Sequence, residues 1–450
     1  MDGSQRFALA LLLVCAARAQ QSPPDHAQDH MQHDMPGMDH NMNMPGMDHD
    51  MKMNMNAAGM YLMNMASGTS VNPQSWPMPM LMRQAGSWNL MLMGQAFLVD
   101  TQQSGPRGGD KLYSANMLMG AAEHALGAGS VLLESMLSLE AATVTDRRYP
   151  ELFQTGETAY GRPLVDAQHP HNFFMSIGMH YARPISENTT VQLYYAPVGD
   201  PALGPVAYPH RASASELPQA PLGHHWQDST HIAYNVGTIA IQHRWLRLEA
   251  SGFYGTEPGE DRWSIDWGPM NSYSGRVSVL PGRNWVIQAS AGRLARPERQ
   301  EPGDVIRTTA SIEYTRPFAG GNAWSSSFIW GRNHDTFTRH DLNSYLAETV
   351  YPIGRRNFLT GRAELVDKDE LFADNPEFEE RLAVIAGSTF RIGAYTAGYT
   401  RDIGRFGDIE TGLGANATAY SLPNAIKPVY GDRPWGVNVY LRLRLRPPEK

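Results

Sequence analysis

From about Trp88 to the C-terminus, the chain runs in short segments whose apolar and polar residues alternate with a period of two. Gly, Pro, Asp and Asn break the segments apart. The last segment is the clearest. Val437, Val439, Leu441, Leu443 and Leu445 alternate with Asn438, Tyr440, Arg442, Arg444 and Arg446. One face is purely aliphatic and the other carries three guanidinium groups, which suits a wall with lipid outside and enclosed water inside. In 305–315, Arg307, Thr309, Ser311 and Glu313 alternate with Ile306, Thr308, Ala310, Ile312 and Tyr314. In 246–254, Leu246, Leu248, Ala250, Gly252 and Tyr254 alternate with Arg247, Glu249, Ser251 and Phe253. Further candidate strands are 88–99, 111–124, 129–144, 172–183, 189–197, 229–241, 271–280, 283–295, 322–332, 342–351, 356–366, 381–402 (one strand or two) and 407–420. Together they predict an all-β fold, a transmembrane antiparallel β-barrel of about 14–16 strands. Only a closed barrel satisfies every strand's backbone hydrogen bonds inside lipid. Trp88, Trp245, Trp263, Trp267, Trp285, Trp324 and Trp435 fall near segment ends, where interfacial girdles are expected. A soluble sandwich would need a second sheet over the aliphatic face of 437–445, and a propeller would show a blade-length repeat.

Composition narrows the picture. Charged residues are 18% of 450, low for a soluble enzyme, and the net charge of −8 gives no reason to expect nucleic acid as a partner. There are 32 Arg against 5 Lys. On inward faces, Arg247, Arg307, Arg442, Arg444 and Arg446 meet Glu249 and Glu313. They predict either cross-strand bracing or, where unpaired, a preference for anions. No apolar run of 18 residues follows the N-terminus, which excludes a helical membrane protein. Residues 1–19 read as a signal peptide, with Arg6, an apolar stretch from Phe7 to Ala16, and Ala17-Arg18-Ala19 as the cleavage site. Cleavage there removes Cys15, the only cysteine, and with it any disulfide or thiolate site. The expected organisation is a signal peptide (1–19), a disordered Met/His-rich extension and junction (20–86), and a barrel in the bacterial outer membrane (87–450). The extension is expected on the periplasmic side.

The extension carries the first candidate chemistry. Residues 31–65 hold 12 of the 24 methionines, and Met-Pro-Gly-Met-Asp-His occurs at 35–40 and again at 44–49. With Pro-Gly breaks and no apolar periodicity, this stretch cannot bury a core. The candidate ligands are His26, His30, Met31, His33, Met35, Met38, His40, Met42, Met44, Met47, His49, Met51, Met53, Met55, Met60, Met63 and Met65. Thioether sulfur is a soft donor that selects Cu(I), and imidazole suits Cu(II), Zn and Ni. The expectation is several exchangeable copper sites that prefer Cu(I), without zinc-finger or EF-hand spacing. This stretch resembles the Met/His/Asp-rich N-terminal segments of the B-type outer-membrane proteins of bacterial copper-resistance operons. The match covers about 25–65. The resemblance implies copper handling at the outer membrane, with a periplasmic copper protein as a partner. The barrel portion resembles uncharacterised predicted outer-membrane proteins with a His-Pro-His motif, here His169-Pro170-His171.

A second candidate site lies within the barrel sequence. His169, His171, His180, His210, His224, His225 and His231 fall within 169–231, and 198–228 reads as one long Pro/Gly-rich loop. Asp166, His169, His171, His224, His225, Asp228 and His231 are candidate ligands of a first-row metal. The competing reading is a hydrogen-bonded polar scaffold. Met91/Met93 and Met117/Met119 alternate with leucines, so if the leucines face lipid the sulfurs line the lumen. No G-x-S-x-G, H-E-x-x-H or phosphate-loop motif is present, and Asp228 with His231 gives only a faint hydrolase signal. The functional expectation is copper binding, sequestration or passage. The alternatives are a porin-like channel for small solutes and a barrel-embedded hydrolase.

Overall fold

The computed structural model describes residues 55–228, 233–298, 302–318, 321–375 and 389–447. Nineteen strands follow in chain order. The first part holds β1 (Leu81–Ala85), β2 (Trp88–Gln103), β3 (Asp110–Leu126), β4 (Gly129–Leu137), β5 (Tyr149–Ala159), β6 (Arg162–Gln168), β7 (Phe174–Ser186) and β8 (Thr189–Gly199). The middle holds β9 (Ala233–His243), β10 (Leu246–Tyr254), β11 (Ser272–Val279), β12 (Trp285–Leu294) and β13 (Val305–Pro317). The last part holds β14 (Ala323–Asp335), β15 (Asp341–Ile353), β16 (Asn357–Lys368), β17 (Phe390–Phe406), β18 (Ile409–Ser421) and β19 (Trp435–Leu445). Sixteen of them, β2–β4 and β7–β19, pair antiparallel with their neighbours, and β19 returns to β2 to close the ring. β1 extends the β19 edge of β2, and β5–β6 form a separate hairpin.

Alternation along the strands sorts the side chains. On β19, Val439 is 55% exposed and Leu443 38%, whereas Arg442 between them is 0% exposed. Ile306 and Ile312 face outward from β13, and Arg307, Thr309, Ser311 and Glu313 face the buried interior. An exposed aliphatic belt around a closed ring of strands is stable only where lipid replaces water. The protein is an outer-membrane β-barrel.

Connections differ at the two rims. One carries 127–128, 187–188, 244–245, 280–284, 318–322, 354–356 and 407–408, all short. Gly127 and Gly407, at φ 59° and 57°, supply the left-handed backbone that two-residue turns require. The other rim carries 138–173, 200–232, 255–271 and 369–389. In barrels of this kind the short turns face the periplasm and the long loops the exterior. The described chain begins at the short-turn rim, where Asn56 bonds the Gly129 carbonyl and the Ser130 hydroxyl. Its N-terminal extension therefore joins from the periplasmic side.

The ordered fold starts earlier than residue 87. A helical turn, Ala57–Leu62, is capped by Asn56 and packs Ala58 and Leu62 against Leu132 and Ala182 of the wall. Met63 and Met65 are buried, and the Met65 sulfur accepts a hydrogen bond from Arg247. Within the expected extension, 55–85 is thus folded, its 58–75 part largely buried and its 81–85 part a strand paired with β2.

The lumen is filled. Every residue of 201–228 is buried except Pro209 and Ser215, which are half-buried. A loop this buried must satisfy its polar groups within the protein. The wall arginines do much of this. Arg276 donates to the Gly204 carbonyl, Arg307 to that of Asp228, and Arg362 to that of Gln219. Glu216 sits between Arg442 and Arg444, and Arg211 reaches Glu348 at 2.6 Å. Planar five-donor guanidinium groups can brace wall and loop together, which accounts for the Arg bias over Lys. Cross-strand bracing is the observed role for Arg442 and Arg444, which pair with Asp402 of β17 and Glu410 of β18, whereas Arg247 pairs with Glu249 along its own strand.

Candidate metal centre

Two elements bring imidazoles together. β6 ends at Gln168, and the His169-Pro170-His171 bend carries His169 into the lumen. The Gly223 turn then starts a short helical segment, His224–Gln227. Ring nitrogens of His169, His224 and His225 all lie within 4.8 Å of one another, and all three residues are buried. His225 also belongs to a second trio with Glu257 and Glu298.

Each ring has one nitrogen against an acceptor. The Pro221 carbonyl lies 2.8 Å from His224 Nδ1, Glu257 Oε1 lies 3.3 Å from His225 Nδ1, and the Pro170 carbonyl lies 3.2 Å from His169 Nδ1. Metal-binding histidines commonly donate one N–H to a carbonyl or carboxylate in this way, which fixes the tautomer that coordinates through the other nitrogen. His169 Nε2 also lies 3.1 Å from Glu157 Oε1, and Arg262 holds the other Glu157 oxygen. Burial drives the His225 imidazole down to about 3, helped by Lys368, Arg307 and Arg262 and opposed by Glu157. At neutral pH it is therefore uncharged, as a ligand must be. The residues fit a first-row metal with imidazole preference.

The other candidates are placed elsewhere. Asp166 is ion-paired with Arg107 and accepts from the Phe153 amide at 2.7 Å. Its carboxyl is pushed up to about 6 by burial against the pull of Arg107. Asp228 is buried beside Arg211 at 3.4 Å and is likewise pushed up to about 6 by burial. His171 Nδ1 contacts Glu140 at 2.9 Å, and Tyr208 Oη contacts Nε2 at 3.2 Å. Burial lowers this imidazole, but Glu140 outweighs burial and the net shift is upward. His171 is thus held between Glu140 and Tyr208. His231 lies outside the described residues, as do all tail candidates from His26 to Met53. Glu157, Glu257 and Glu140, the acids that hold the imidazoles, carried no motif in the sequence.

Solved structures similar to this chain are outer-membrane barrels. An anion-selective porin from Comamonas acidovorans matches at TM-score 0.49 and 12% identity, over 80% of this chain and 100% of that one. OmpF from Salmonella typhi, in complex with daunomycin, matches at 0.48 and 8%, over 80% and 100%. The outer-membrane channel DcaP of Acinetobacter baumannii matches at 0.45 and 8%, over 81% and 99%. No family model matches the chain, and no curated protein matches it in sequence. The copper-resistance resemblance therefore rests on residues 25–65 alone.

Proposed function

We propose that this chain is an outer-membrane channel for small hydrophilic solutes, held shut by its own loop. One observation carries the reading: a polar inner wall encloses a buried loop, 201–228, instead of closing on its own side chains. A barrel of sixteen strands is wide enough for an aqueous channel once such a filling leaves. The test is single-channel conductance in planar bilayers. Replacing 201–228 by a short Gly/Ser link should raise conductance at least about tenfold over the closed wild type. A folded variant that conducts no more than the wild type removes the proposal.

The imidazole trio favours a second reading, in which the barrel binds or passes copper or another first-row metal ion. Tyr208 and His210 add further donors on the same loop. A periplasmic copper protein would then be the partner, and the Met/His-rich tail the collector. Neither reading includes a catalytic step. Titration of the full chain with Cu(II) should show one equivalent fewer in the His224→Ala/His225→Ala variant. Equal stoichiometry would sink the metal reading and leave the channel reading standing.

A further inference from the structure

We infer that the inner wall of β2, β3 and β4, together with His210 of the loop, forms a binding site for a soft monovalent cation such as Cu(I) or Ag(I). The ligands are Met93, Met119, Met136 and His210. This site goes beyond the channel reading and holds whether or not the barrel conducts.

The strand register builds it. Leu92, Leu118 and Leu133 are exposed on the lipid face, so their alternating neighbours point inward. Met93 pairs with Met119, and Met119 pairs with Met136. Three thioethers therefore stand in one row across three adjacent strands, where facing residues have Cβ atoms about 4.5–5.5 Å apart. Long, flexible methionine side chains on such a row can bring their sulfurs to one point. The loop lays His210 against this row. Its Nε2 lies 2.7 Å from the Met136 sulfur, a soft donor atom against an imidazole nitrogen with both residues buried. A cavity lined by Met93, Met117, Gln95 and Trp76 opens beside His210.

The donor set decides the class of ion. Three uncharged thioethers and one imidazole discriminate against hard divalent ions and favour Cu(I). Glu134, two positions before Met136 on the same inward face, adds a carboxylate near the row, with His180 at 3.4 Å and Ser176 as its present partners. Arg211, next to His210 in the chain, is engaged by Glu348 and Asp228. The site differs from the His169/His224/His225 trio in the same way: sulfur here, imidazole there.

The test uses the full chain in detergent micelles with methyl-labelled methionine, titrated with Ag(I). Resonances of Met93, Met119 and Met136 should shift together and saturate at one equivalent. In the Met119→Leu/Met136→Leu variant, that equivalent should be lost. Leu for Met conserves volume and should leave the wall folded. In His210→Ala, Ag(I) affinity at the same methyls should fall about tenfold or more, as expected when a ligand is removed. Methyl shifts confined to the methionines of 31–65, or equal stoichiometry in wild type and the double-leucine variant, would overturn the site.

Discussion

Replacing Glu216 by alanine should turn a closed barrel into one that opens measurably. Glu216 is fully buried, and its two carboxylate oxygens meet Arg442 and Arg444 of β19. It joins the loop directly to the wall. Removing it leaves the wall largely intact, because Arg442 keeps Asp402 and Glu410, and Arg444 keeps Glu410. The loss falls on the seating of the loop. Breaking a buried ion pair costs about 3–5 kcal/mol, a shift of roughly 100-fold or more in the released population. Bilayer recordings should therefore show open events about two orders of magnitude more often than in the wild type. Glu216→Gln, which keeps hydrogen-bond acceptance, should fall between the two. A folded Glu216→Ala barrel that stays as closed as the wild type would show that Glu216 does not hold the loop in place.

The wall was legible in the sequence because period-two alternation is a local property. Each of the sixteen barrel strands overlaps one expected segment: 246–254 coincides with β10, 305–315 lies within β13, and 437–445 within β19. Of the 381–402 stretch, 390–402 belong to the single strand β17, and 381–388 lie outside the described residues. The hairpin β5–β6 escaped notice for a physical reason. It is buried on both faces, and bulges with positive φ at Phe153, Glu157 and Asp166 break its alternation. Residues 55–85 were hidden by their composition, since Met-rich sequence reads as tail. A signal was present all the same: Asn56, three residues before Gly59, is a side-chain helix cap.

Convergence of the imidazoles is a different kind of fact. His169 and His224 are 55 positions apart in the chain, and they meet because the wall arginines hold 201–228 inside the lumen. Those contacts are long-range and leave no local trace. Asp166 and Asp228 looked like ligands because they neighbour histidines in sequence. In space, Arg107 and Arg211 reached them first. Sequence proximity pointed to Asp166 and Asp228, whereas in space Glu157 and Glu257 are the carboxylates that lie against His169 and His225.

Phe328→Arg should cost the barrel about 2–4 kcal/mol, while Phe337→Arg should cost about 0–1 kcal/mol. The comparison is informative because the two phenylalanines are almost equally exposed, at 64% and 68%. Accessibility therefore cannot separate them. Only the surrounding medium can. Phe328 lies midway along β14, opposite Ile312 of β13 and Ala347 of β15, with no carboxylate directly opposite to take a new charge. Phe337 lies in the 336–340 connection at the long-loop rim, outside the aliphatic belt. A guanidinium at mid-strand must be drawn out of water into hydrocarbon, whereas at the rim it stays hydrated. Reversible urea unfolding in lipid vesicles, followed by tryptophan fluorescence, measures both costs. If Phe328→Arg proves no more costly than Phe337→Arg, the belt does not face acyl chains, and the membrane-spanning reading of the wall falls with it.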